Sequence, residues 1–189
     1  SEAQFERTIK RTEERLGREA AAISISRLKQ RGNRLMVEVG VYNKTGHKFP
    51  TGFPSRRAWI HLSVADAQGQ VIFESGSYTS QGELIGLNDS YEPHYNLVDS
   101  AEQIQIYESI MGDISGTQTH TLLQAATYLK DNRLPPKGYL KSGPMTEFTA
   151  IKGDAANDNN FNVSDNLEGS GADLVTYAIV TDGVRYPLT

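Results

Sequence analysis

Four histidines, a proline-stiffened loop with two arginines and an aspartate-rich segment are the places where this chain could do chemistry. His47, His61, His94 and His120 stand in no H-x-x-x-H or H-E-x-x-H pattern, so the usual helical zinc pair is absent. His47 lies in "NKTGHKFPTGFPSRRAW" (residues 43–59). Gly46 lets that backbone turn, and Pro50 and Pro54 stiffen the chain on the C-terminal side, so the imidazole is offered on a firm hook. Two readings are open: an exposed axial ligand for a metal or haem iron, or a loop histidine bonded to its own turn. Arg56 and Arg57 precede Trp59 at an expected strand start, where alternation would send one guanidinium inward and the other out. Trp59 should pack beneath the hook and tie it to the body of the fold.

Glu92 and His94 in "YEPHYN" have the types for an acid/base pair, or for a polar loop packed among Tyr91 and Tyr95. His61 and His120 fall in strand-like runs and read as structural or simply exposed. The segment "GDAANDNNFNVSDNLEGSGAD" offers Asp154, Asp158 and Asp165 as oxygen ligands for calcium, or is a solvated loop. It is not an EF-hand: counted from Asp158, position 6 is Val163 and position 12 is Gly169, where Gly and Glu are required. No G-x-S-x-G elbow, phosphate loop or dinucleotide fingerprint occurs.

The elements that must position these residues are mostly strands. Phe5, Ile9, Thr12 and Leu16 recur at helical spacing in a run without Gly or Pro, which predicts a helix over residues 2–16 and a first unit ending at residue 17. The period then changes to two. Leu35, Val37, Val39 and Val41 share one face of "RLMVEVGVYN", and Ala58, Ile60, Leu62 and Val64 share one face of "RAWIHLSVAD". "QVIFESG", "EQIQIYES", "EFTAIKG" and "DLVTYAIVTD" read as further strands, and "DAQGQ" as a hairpin turn. "TLLQAATYLKDNRLPP" reads as strand followed by turn. Residues 76–100 and 153–172 lack periodicity. The expected fold is all-β: an antiparallel, immunoglobulin-like β-sandwich over residues 18–189, with an N-terminal helix and long loops.

Composition narrows the function. The net charge of -4 lacks the concentrated basic balance of a nucleic-acid binder. No apolar run approaches the roughly 20 residues of a membrane span. With no cysteine among 189 residues, disulfides, thiolate metal sites and covalent C-x-x-C-H haem attachment are excluded on this chain.

"NKTGHKFPTGFPSRRAWIHLSVADAQGQVIFESG", "EPHYN", "EQIQIYESIMGD", "LLQAATYLKDNRLPPKGY" and "DLVTYAI" resemble the C-terminal, non-haem portion of bacterial multihaem c-type cytochromes, over about residues 33–180. The resemblance implies an exported, periplasmic or outer-surface protein in electron transfer. It implies an upstream haem-bearing segment from which the helix of residues 2–16 continues, haem c in that segment, and redox protein partners. His47 would then meet a haem as ligand or neighbour, with Arg56 and Arg57 beside it. The rival readings are a carbohydrate- or surface-binding sandwich using Tyr78, Tyr91, Tyr95 and Tyr139, and a metal-dependent enzyme using Glu92 and His94.

Overall fold

The computed structural model describes residues 1–52, 54–87 and 91–189. Phe53 of the hook, and Asn88, Asp89 and Ser90 of the aperiodic 76–100 segment, lie outside the described residues. The chain opens with α1 (Glu2–Arg15), extended by a π-helical turn over Leu16–Ala20. None of these residues is buried, so the apolar stripe, which in an amphipathic helix packs against a neighbour, is uncovered among the described residues.

The main sheet is built from β1 (Ala21–Arg31), β2 (Arg34–Asn43), β6 (Leu97–Val98) and β13 (Ala172–Val180), in the order β1-β2-β13-β6. β2 is antiparallel to both β1 and β13, while β6 joins β13 in parallel. Alternation in β2 works as the sequence predicts: Val37, Val39 and Val41 are buried and meet Val175, Tyr177 and Ile179 of β13 in one core. Gly76 is required by a close approach, because at φ 78° a Cβ there would come 2.2 Å from the Ile60 carbonyl oxygen.

Smaller antiparallel pairs complete the fold. β3 (Ala58–Trp59) pairs with β7 (Ile106–Tyr107), and β4 (Leu62–Ala65) with β5 (Val71–Ser75). β8 (Ser109–Gly112) lies between β9 (Gln118–Thr119) and β10 (Thr127–Asp131). β11 (Val163–Ser164) and β12 (Leu167–Glu168) form a two-residue-per-strand hairpin. Ile60, Val64, Tyr107, Leu134, Ile151 and Phe161 bring these pieces onto the core. The protein is therefore β-rich, with one long N-terminal helix and several small sheets.

Three sequence expectations change, and one strand was not foreseen. "RAWIHLSVAD" is not one strand: the chain leaves the ladder at Ile60 and His61, so β3 and β4 serve different partners. "EFTAIKG" begins as a short helix, α2 (Thr146–Thr149), and only Lys152 bridges to Asp131. In "TLLQAATYLKDNRLPP" the order is reversed: a 3-10 turn at Leu122–Gln124 precedes β10. β1, with all but one of its residues exposed, carries too few buried positions to announce itself by periodicity.

Candidate functional site

The hook around His47 is held from below by one segment, residues 130–135. Phe49 and Leu134 exchange both backbone hydrogen bonds, with N–O distances of 2.9 and 2.8 Å. Asn43 Nδ2 donates to the carbonyls of His47 (2.7 Å), Leu134 (2.9 Å) and Pro135 (3.0 Å). Thr45 Oγ1 donates to the same His47 carbonyl at 2.9 Å. The buried Asp131 carboxylate accepts from Lys48 Nζ at 2.8 Å and takes a two-pronged contact from Arg133, Nε at 2.8 Å and Nη2 at 2.7 Å. Burial pulls the Lys48 ammonium below its ordinary range, and the Asp131 charge partly restores it. A loop rich in polar and conformationally special residues is thus pinned by hydrogen bonds on one side, leaving the other free.

His47 itself is exposed. Its Nδ1 lies 3.0 Å from the Lys48 carbonyl and 3.2 Å from Thr45 Oγ1. As donor to that carbonyl, Nδ1 carries the ring proton and Nε2 keeps its lone pair, the arrangement an imidazole needs to ligate a metal through Nε2. Both sequence readings of His47 meet here: one nitrogen is bonded to its own turn, and the other has no partner among the described residues.

Arg56 and Arg57 are both exposed, which corrects the expectation of one inward guanidinium. They sit in the loop before β3, not in a strand, so strand alternation does not apply to them. Arg56 Nη1 donates to Thr51 Oγ1. With His47 they line a groove of about 1150 Å³ between the hook and α1. The contacts Trp59 makes are with the segment after β5: its Nε1 donates to the Gly76 carbonyl at 3.0 Å, and its ring meets Tyr78 edge-on at 5.8 Å.

A second constellation is buried. His94 Nε2 lies 3.1 Å from Asp158 Oδ2 and 3.7 Å from Asp173 Oδ2. Its ring packs edge-on against Phe161 at 5.0 Å. The ligand atoms of these three residues lie within 4.8 Å of one another, a spacing a metal ion could span. The hydrogen-bond polarity decides against it. Gln105 Oε1 accepts the Tyr95 N–H at 2.7 Å, which turns Gln105 Nε2 toward His94 Nδ1, also at 2.7 Å. Asn132 is fixed in the same sense: Oδ1 accepts from Glu108 N–H (2.9 Å), and Nδ2 donates to the Ile106 carbonyl (2.7 Å) while facing Nδ1 at 3.1 Å. Two N–H donors at Nδ1 leave the ring proton on Nε2, where it points at the two aspartates. A metal on Nε2 would require Nδ1–H against two donors. As folded, the triad fits a proton rather than a cation.

The charges of this cluster divide unequally. Burial pushes the Asp173 carboxyl up to about 6, against the pull of His94 and the hydrogen bond from Tyr107 Oη at 2.7 Å. Asp158 shows the opposite direction. Its burial penalty is outweighed by the bond to His94 and by the Asn160 N–H, and its carboxyl lies below the usual range. Glu92 takes no hydrogen bond from His94. Its Oε2 accepts from Tyr95 Oη at 2.7 Å, and its Oε1 has no partner among the described residues.

The remaining candidates are dispersed. Asp154 opens a 3-10 turn and is exposed, Asp165 sits at the tip of the β11–β12 hairpin with φ 52°, and Asp158 alone enters the buried cluster. Tyr78 and Tyr91 are exposed, whereas the Tyr95 and Tyr139 hydroxyls are engaged by Glu92 and the Thr149 carbonyl. His61 pairs with Glu74 at 2.8 Å, and His120 is exposed beside Gln118. Sequence reasoning did not find Asp173, Gln105 or Asn132. Asp173 heads "DLVTYAI", and its one visible signal was a charge at the start of an otherwise apolar strand.

No family model matches the chain, and no match was found among curated proteins or solved structures.

Proposed function

We propose that this chain is the C-terminal, non-haem β-domain of an exported multihaem c-type cytochrome, and that its hook faces a haem of an upstream segment. The long motifs around His47, Trp59 and "LKDNRLPP" support that reading by resemblance. One observation carries it: His47 is exposed with Nε2 unengaged among the described residues, on a backbone fixed by Asn43, Thr45 and the Phe49–Leu134 exchange. A bolted scaffold beneath a free imidazole nitrogen is the preorganisation an axial ligand requires. The domain itself supports electron transfer and holds no covalent haem. In this reading the four-stranded sheet and the β3–β7 and β4–β5 pairs are the two layers of a β-sandwich, supported by the one core that β2, β13, Ile60, Val64 and Tyr107 share. The same reading puts the protein in the periplasm or at the cell surface, with redox proteins as partners.

The test is electron paramagnetic resonance on the protein that joins this chain to its haem segment, with and without His47→Ala. Loss of one low-spin haem signal to high spin is the expected result. Identical low-spin signals would remove the ligand role. A reading frame without C-x-x-C-H motifs upstream would remove the cytochrome assignment itself.

A further inference from the structure

The groove between α1 and the hook has a chemical character that neither wall shows alone. From α1 it receives Arg11 and Arg15, and from the hook Arg56 and Arg57, with Glu19 the only acidic residue along it among the described residues. Arg15 is already paired with Glu19 at 3.0 Å. Arg11 and Arg57 make no side-chain hydrogen bond or ion pair among the described residues, and both are exposed. Four guanidiniums have gathered on one groove of a chain whose net charge is -4. Leu16, Phe49 and Pro50 add apolar surface to the same lining.

The helix geometry sharpens this. At about 100° per residue, the side of α1 that carries Thr8, Arg11 and Arg15 is turned roughly 105° from the stripe of Phe5, Ile9 and Leu16, and of that stripe Leu16 alone lines the groove. An occupant of the groove therefore meets guanidiniums directly, with the apolar side chains of Leu16, Phe49 and Pro50 in the same lining. Phe5 (74% exposed), Ile9 (58%) and Leu16 (61%) have no other cover among the described residues. Like charges held together at the surface without counter-ions repel, and an anion relieves that repulsion. Guanidinium is also the side chain best shaped for carboxylate.

We infer that this groove recognises an amphipathic polycarboxylate, an apolar planar body carrying carboxylates, and that Arg11, Arg15, Arg56 and Arg57 are its anion-binding residues. The inference rests on the reading in which the hook faces a haem, and assigns to the groove the carboxylate-bearing edge of that group. His47 addresses the iron and the arginines address the acid groups, so the two functions are separable.

The experiment uses the 189-residue chain and two water-soluble, metal-free porphyrins, coproporphyrin with its carboxylates and a tetracationic N-methylpyridyl porphyrin. Fluorescence titration at low and raised salt follows each. Coproporphyrin should bind, more weakly as salt rises, and the cationic porphyrin should not. Joint Arg11→Gln and Arg57→Gln substitution should weaken coproporphyrin binding about tenfold, since each exposed charge pair is worth up to about 1 kcal/mol. Lys29→Gln, which removes an exposed cation of β1 outside the groove, should leave that binding unchanged. Equal affinity for the two porphyrins, no binding of either, or indifference to the arginine substitutions overturns the inference. Iron coproporphyrin then separates the two ideas. If its binding is arginine-dependent but shows no His47-dependent low-spin absorption, the ligation reading fails and the anion groove stands.

Discussion

Asp173 should make this protein more stable in mild acid than at neutral pH. Its carboxyl is fully buried, and burial lifts it from 3.8 to about 6 against His94 and the Tyr107 hydroxyl, which pull it down, with Asp158 pushing it up. Between those two values the folded chain holds a proton that the unfolded chain has released. Stability linked to Asp173 is therefore fully present below 3.8 and is lost as pH rises through about 6. A separation of roughly two units corresponds to about 3 kcal/mol at the limit, of which about 2 kcal/mol should appear between pH 7 and pH 4.5. Asp158 works in the other sense, but its lowered carboxyl acts below that window. Urea denaturation at about pH 7, 6, 5 and 4.5 on the wild type and Asp173→Asn measures the effect, because the variant lacks the titrating group. The wild-type midpoint should climb as pH falls, and the variant should show a flatter profile. Parallel profiles in the two proteins, or a wild type that weakens steadily from pH 7, would refute the argument.

Three other outcomes are expected from the same geometry. Asp131→Ala strands Lys48 and Arg133 in a buried setting without their counter-charge, and should cost about 3 to 5 kcal/mol in denaturant unfolding. Trp59→Ala should cost about 2 kcal/mol, less than a fully buried ring, since Trp59 is half-buried and holds one bond to Gly76. Nitrogen-15 spectra of the imidazoles should show the His94 proton on Nε2 and the His47 proton on Nδ1; the reverse tautomer at His94 would reopen that triad as a metal site.

The legible and the hidden parts of this fold divide along a physical line. Val37, Val39 and Val41 were legible because one face of β2 is buried and the other is not, which writes a period of two into the residue types. The "DAQGQ" turn was legible because Gly69, at φ 79°, needs a backbone only glycine adopts freely. β1 was hidden because a strand paired on one side only, with exposed faces, places little constraint on its residues. The buried triad was hidden for a different reason. Its members come from positions 94, 158 and 173, and adjacency across such distances leaves no local pattern. Gln105 and Asn132, which set the polarity of His94, are ordinary amides until the fold turns them toward it. The aspartate-rich segment read as a solvated loop or an ion site, and Asp158 within that loop is buried as the partner of a histidine 64 positions away.

The charged layer under the hook explains why a presenting loop should rest on so polar a base. Asp131 joins Lys48 from the hook to Arg133 from the strand-end segment, and Lys130 beside it reaches the Ile106 carbonyl (3.1 Å) and Glu108 (2.9 Å). Burial holds Lys130 below its ordinary range, with the Glu108 charge working against that shift. Apolar side chains in these places could pack as stably, since desolvation consumes much of what a buried ion pair gains. They would not specify register, because an apolar contact tolerates a slide that a two-pronged guanidinium–carboxylate contact does not. Moved by one residue, the Phe49–Leu134 exchange would part Lys48 from Asp131 and leave both charges buried and alone. The cost of that error fixes where residue 47 stands. The exposed imidazole inherits its position from ion pairs it never touches, and the groove arginines on the same loop inherit theirs with it.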